Sequence, residues 1–475
     1  MTRRVDLGMS PGVRGRRRRT SETDDLTRNV IEPPAPPARR IPGTVRRRLS
    51  GMELLLDGPG MQSRLARLPT FDPEAYLRLN PDLPIAAVEA VAHFSGTGLR
   101  ENRPFCTPQS VVAALRRLPP GAPPAETPVA AAELAALVGR FLGEAVGLYV
   151  HSHSPPKIRL AAEMMAGALM AFGIDARLRD ETADPESRLD HCLFFAPHAF
   201  FFLDGGARWL DGDILAAAVL CPTEPVHSTP QARTLPLLLA ARALVDGNAQ
   251  NCALYAACGI PHAEFLGIPC GADLMRADLA DEPLAASLQG EVLASGDGPV
   301  AWGDRPIDLC FFGTHSTTRD EVFVHGAAAL SRLGCFTPYP ERVREPRLRR
   351  SMGARRIALE NRVARNSRIL LAIDAEEIGS VAGYGMGVLG FGNGALVLSR
   401  PLHAHPVFKP GEHFLEESSR RIGNLAEWLA TTTSGADLAG RITGQAHEAF
   451  TGARYRYRAV HDVLCLLDGT RPAAG

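Results

Sequence analysis

The sequence predicts an α/β fold built from two parallel sheets, each covered by helices on both faces. Three observations carry this. Short, nearly uninterrupted apolar runs recur at 146–150, 192–195, 217–221, 243–246, 307–312, 367–373 and 395–399. Runs of that kind suit strands buried on both sides, not strands with one wet face. Between them lie stretches with helical spacing, such as Leu160, Met164, Ala168 and Phe172, and a break rich in Gly and Asp at 280–305 divides the pattern into two halves.

Composition allows a large core. The 475 residues are 45% apolar and 22% charged, ordinary globular usage. The formal net charge is zero, which argues against a molecule that binds polyanions over its whole surface. The zero hides an asymmetry, because residues 1–50 hold thirteen Arg against five acidic residues and the body is mildly acidic. Lys157 and Lys409 are the only lysines. The nine Cys are scattered, with no C-x-x-C pair. Buried free thiols are expected, and neither a disulfide framework nor a zinc site. No run of 18 apolar residues occurs, and no apolar stretch backs the N-terminal charges, so a cytoplasmic protein is expected.

Taken in order, residues 1–70 read as a disordered Arg- and Pro-rich tail, which buries too little apolar surface to offset its ordering entropy. Three readings of it stand: an arm making peripheral contact with an anionic membrane, a solvated tail, or an upstream start codon chosen wrongly, with Met9 or Met52 as the true start. Nucleic acid is not expected as a partner. Residues 71–105 form a small helical module in which Asp72 caps a helix bearing Tyr76 and Leu77, and Asn80-Pro81-Asp82 turns the chain. A linker with one helix follows at 106–143, marked by Pro119, Pro120, Pro123, Pro124 and Pro128. The first lobe occupies 144–290, with one helix stopped by Gly173 and another by Gly259. The second lobe, 300–475, includes a charged solvated stretch at 342–350 and closes with a helical tail. Together these make two Rossmann-like domains.

Ligands of such sheets bind beyond the carboxyl ends of the strands, so four loops hold the candidate chemistry. In the first, His151 and His153 are either a general base or acceptor contact, or hydrogen-bonded loop residues. In the second, Glu224 between two prolines either orients an acceptor hydroxyl or makes a loop cap or ion pair. In the third, Gly313, Thr314 and Arg319 stand at a strand-to-helix turn suited to a diphosphate. The fourth, 375–399, carries seven glycines, explained either by close approach of backbone to a ligand or by tight helix packing. Glu376, Glu377, Ser380 and Tyr384 are its polar groups.

The segments Ala-Pro-His at 196–198, Pro-Thr-Glu at 222–224, Val-Asp-Gly-Asn-Ala-Gln-Asn at 245–251, Gly-Ile-Pro at 259–261, Ile-Pro-Cys-Gly at 268–271, Asp-Leu-Cys-Phe-Phe-Gly-Thr at 308–314, Asn-Gly-Ala-Leu-Val-Leu-Ser at 393–399 and Lys-Pro-Gly-Glu-His-Phe at 409–414 occur in this order. Together they resemble the CgeB-like bacterial glycosyltransferases of the GT-B fold. The 71–105 module resembles one found attached to glycosyltransferases that build surface polysaccharides. The resemblance implies two Rossmann-like domains facing a cleft. A nucleotide-diphosphate sugar would be held mainly by the second and a glycan or related acceptor by the first. It places Gly313, Thr314 and Arg319 at the phosphates and Asn393 and Gly394 toward the donor, with Glu377 and Ser380 nearby. No cofactor or metal is implied, since helix N-termini and basic side chains neutralise the leaving diphosphate. One departure stands out: where relatives carry Arg and Glu on the helix before the Asn-Gly strand, this chain has Met386 and Leu389. A glycosyltransferase is expected, with a non-catalytic scaffold or nucleotide- or glycan-binding GT-B protein as the alternative.

Overall fold

The computed structural model describes residues 59–469 apart from 99–100, 102, 119–128, 225–228, 272–274, 276, 280–281, 289, 291, 293–299, 340–352, 376–378 and 380. The Arg-rich arm, the 342–350 stretch, Glu376, Glu377 and Ser380 lie outside the described residues.

Two parallel sheets form the body. The first contains β1 (Ala145–Tyr149), β2 (Asp175–Arg179), β3 (His191–Phe195), β4 (Val219–Cys221), β5 (Ala243–Asp246) and β6 (His262–Glu264), in the order β2-β1-β3-β4-β5-β6. The second contains β7 (Ile307–Phe311), β8 (Cys335–Phe336), β9 (Ser367–Ala372), β10 (Leu396–Ser399) and β11 (Leu415–Glu416), in the order β11-β10-β9-β7-β8. Every ladder between these strands is parallel. Strand order reverses between β1 and β3 and between β7 and β9, the crevices where such sheets hold ligands.

Numbering helices of seven residues or more, α1 (Pro59–Ala66) corrects the sequence reading. Residues 59–70 were expected in the disordered tail, yet Leu65 and Leu68 are buried and Arg64 Nη1 donates to the carbonyls of Leu239 and Ala241 at 2.7 and 2.8 Å. In α2 (Pro73–Leu79), Asp72 accepts from the Glu74 and Ala75 amides at 2.9 and 3.2 Å. Asn80 Nδ2 donates to the Tyr76 and Pro104 carbonyls, and Arg103 pairs with Asp82 at 2.8 Å, so the module's polar residues tie its ends together. Between the module and β1 run two helices, α3 (Pro108–Arg117) and α4 (Ala131–Arg140), where one was expected.

In the first lobe α5 (Pro156–Met170) follows β1, α6 (Thr229–Ala240) precedes β5, and α7 (Ala249–Cys258) follows it. Asn248 caps α7, and Gly259, at φ +70°, ends it in the left-handed region. The second lobe holds α8 (Thr317–Leu330), α9 (Ala354–Arg365), α10 (Ile422–Thr431), α11 (Thr433–Thr451) and α12 (Ala453–Asp468). The closing helix α12 returns to the first lobe: the Leu266 amide donates to Tyr455 Oη at 2.8 Å, and Arg242 Nη2 donates to the Leu466 and Leu467 carbonyls. His405 and Glu264 meet at 2.9 Å across the same seam.

All nine cysteines are free, and burial pushes the Cys192 thiol up to about 11 and that of Cys310 up to about 12. Among the described residues no helix is long and apolar enough to cross a membrane.

Candidate functional site

A cavity of about 470 Å³ lies between the carboxyl ends of the two sheets. The second lobe supplies Arg319, Asp374, Tyr384 and Gly385; the first supplies Lys157, Glu224, Asp246, Gln250 and Asn251.

Arg319 is fixed by its neighbours. Ser316 caps α8 and accepts from the Arg319 amide at 3.3 Å, which sets the side chain on the first turn. Nε donates to the Ile373 carbonyl at 2.8 Å and Nη1 to the Thr314 carbonyl at 2.9 Å. The guanidinium thus spans the loops after β7 and β9, at the reversal of strand order. Gly313 makes room for it, since a Cβ there would meet the Phe311 ring and come within 3.0 Å of Arg319 Cζ. Gly313 and Thr314, expected at the phosphates themselves, are absent from the cavity lining and position Arg319 instead.

Lys157, at the start of α5, reaches the other lobe. Its Nζ is 3.0 Å from Glu360 Oε2 and 4.4 Å from the Tyr384 ring centroid. Tyr384 Oη donates to the same carboxylate oxygen at 2.8 Å. Burial, then the adjoining Glu360 charge, hold the phenol well above its ordinary range.

At the end of β5, Asp246 Oδ2 accepts from Asn251 Nδ2 at 2.9 Å and from Tyr255 Oη at 2.8 Å. Burial drives its pKa up to about 7, against the pull of these two bonds. Asn251 Nδ2 also donates to the Glu224 carbonyl at 3.0 Å, joining the loops after β4 and β5. Glu224 Oε1 lies 3.9 Å from His198 Nε2, whose pKa burial lowers.

The structure corrects several sequence expectations. His151 is buried, with Nε2 3.0 Å from the Asp204 carbonyl and Nδ1 accepting the His153 amide at 3.1 Å, while Glu181 stands 3.7 Å away. It is hydrogen-bonded within its loop and absent from the cavity lining, and His153 is exposed and outside that lining too. Asn393 donates through Nδ2 to Asn361 Oδ1, and its carbonyl accepts from Arg305 Nη2. The Asn393-Gly394 turn precedes β10, at the amino end of the sheet, so neither residue reaches the cavity. Met386 and Leu389 are buried and face a recess of about 100 Å³ behind Arg319. The glycine-rich segment Gly383–Phe391 is π-helical. A Cβ on Gly383 would lie 2.7 Å from the Leu266 carbonyl oxygen and one on Gly390 would strike Val397, so packing explains those two. Lys157, Asp246, Gln250 and Asn251 were missed. The rule that selected the other loops also selects 246–251, directly after an apolar strand.

Fold comparison returns partial likenesses to solved structures. A glycosyltransferase from Rickettsia africae superposes with a TM-score of 0.40 at 12% identity, over 68% of this chain and 98% of its own. HepE from Anabaena, in complex with UDP-glucose, gives 0.40 at 10% identity, over 68% and 98%. A Listeria monocytogenes protein put forward as a UDP-N-acetylglucosamine 2-epimerase gives 0.37 at 11% identity, over 69% and 98%. No family model and none of the curated proteins compared matches the chain. Likeness at this level leaves the chemistry to be argued from the site's own residues.

Proposed function

We propose that the chain is a CgeB-like GT-B glycosyltransferase that moves a sugar from a nucleotide-diphosphate donor to a glycan or related acceptor in surface polysaccharide or glycoconjugate synthesis. The observation that carries this is the placement of Arg319. A guanidinium held by two backbone carbonyls at the start of α8 lines the cavity between the lobes. A preorganised cation there suits charge that develops on a departing diphosphate. Lys157 adds a second cation from the opposite lobe. Glu224, half-buried on the first-lobe wall, is the carboxylate that would orient an acceptor hydroxyl.

The apolar Met386 and Leu389 favour a second reading, a GT-B protein that binds nucleotide or glycan without turnover. One experiment separates the two. Wild type and Arg319→Ala are assayed for binding and turnover of UDP-glucose, UDP-N-acetylglucosamine and GDP-mannose. A transferase turns over at least one donor, and Arg319→Ala slows it by about 100-fold, the scale set by losing one preorganised donor. Binding without turnover supports the scaffold. No binding of any of them sinks both.

A further inference from the structure

Three polar atoms on the first-lobe wall lack any hydrogen-bond partner although they are buried: Gln250 Nε2, Asn251 Oδ1 and Thr223 Oγ1. Gln250 and Asn251 are 2% and 1% exposed, and all three residues line the cavity. Buried polar groups are ordinarily satisfied, so three together in one wall need a reason. The orientation of Asn251 is set by its Nδ2, which donates to Asp246 Oδ2 and the Glu224 carbonyl, leaving Oδ1 as an acceptor turned elsewhere.

From this cluster we infer that Thr223, Gln250 and Asn251 form a subsite for a pair of neutral hydroxyl groups, as on an uncharged sugar ring. The inference rests on the proposed transferase reading and names the ligand of its first-lobe wall. The atoms comprise one amide donor, one amide acceptor and one hydroxyl capable of both. A hydroxyl group donates once and accepts twice, so a vicinal pair can answer all three. An anion is a poor match. It could accept from Gln250 and Thr223 but would oppose the lone pairs of Asn251 Oδ1, with the Glu224 carboxylate in the same wall. Cations line the cavity elsewhere, at Lys157 and Arg319, so the charged part of a ligand and its neutral part are directed to different walls.

The test is saturation-transfer NMR in the presence of UDP. D-glucose, D-galactose and D-mannose are titrated against D-glucuronate, on wild type and on Gln250→Leu and Thr223→Val. At least one neutral hexose binds wild type and glucuronate does not. Each variant weakens the hexose by about tenfold, since an unpaired partner is lost. UDP affinity is unchanged, and the melting temperature does not fall, because the atoms removed have no partner inside the protein. A structural role would lower it. Should Gln250→Leu fail to fold, Gln250→Met keeps the length of the side chain, removes the donor, and loses the hexose equally.

Titrating UDP-glucose beside UDP separates two sources of hydroxyls. A loss confined to free hexose assigns the subsite to the acceptor. A loss that extends to UDP-glucose, with UDP unchanged, assigns it to the donor's own sugar. The inference is overturned by preference for glucuronate, by variants that hold hexose as well as wild type, or by no hexose binding. Failure of UDP to bind wild type instead strikes the transferase reading, while the hexose titration still reports on the subsite.

Discussion

Asp246 shows how one side chain couples the site to stability. Its pKa rises from 3.8 to about 7 through burial. The unfolded chain therefore releases this proton first. The contribution of the neutral carboxyl is complete below about pH 4 and drains away as pH climbs toward 7, by roughly 4 kcal/mol for a shift of about three units. Asp246→Asn keeps an acceptor for Asn251 and Tyr255 but does not titrate. Chemical denaturation should show its stability gaining on wild type between pH 5 and pH 8, and a gap that stays constant would contradict the assignment. Residues of this kind were only partly legible in the sequence. The rule of strand carboxyl ends picked the loops that bring Glu224 and Arg319 to the cavity. It could not reveal that His151 turns toward Asp204 and Glu181, because a histidine after a strand looks the same whichever way it faces. Asn393 came from family resemblance and Gly394 from that and from the glycine-rich loop, and both stand at the amino end of β10, where no ligand crevice opens.

Among elements, the buried strands were the easiest to foresee and the edge strands the hardest. Asp175-Ala176-Arg177-Leu178-Arg179 pairs with β1 along its whole length, yet only Ala176 is buried, so no apolar run betrays it. β8 and β11 are two residues each, too short for any period. The segment Gly383–Phe391 divides its glycines between two duties, and substitution separates them. At Gly390 an added methyl meets the Val397 side chain, so Gly390→Ala should cost about 1–3 kcal/mol through overpacking. At Gly385 nothing stands within 4 Å and the position lines the cavity. Gly385→Ala should therefore keep or slightly raise the melting temperature, by the usual helical preference for alanine, while altering ligand affinity. Equal destabilisation at both positions would mean the segment is read wrongly.

Over the whole molecule, the lobes are tied by α12 and by backbone as well as side-chain bonds. The Gly383 amide donates to the Gly247 carbonyl at 2.8 Å, and Asn248 bridges Ala382. Tyr455 is partly buried where its hydroxyl accepts from the Leu266 amide. Tyr455→Phe should leave that amide unanswered and cost about 1–3 kcal/mol. Because the seam serves both sheets, calorimetry should still record one shifted transition, and two resolved transitions would show the lobes to be independent.

The ammonium that reaches from α5 to Glu360 has a practical consequence. Only two side-chain amines exist in the entire chain, and Lys409 lies on a loop away from the cavity lining. Amine acylation followed by peptide mass spectrometry is thus a footprint with a built-in reference. A compound seated between the lobes would shield Lys157, whose side chain is 44% accessible, and leave Lys409 reacting at its ordinary rate.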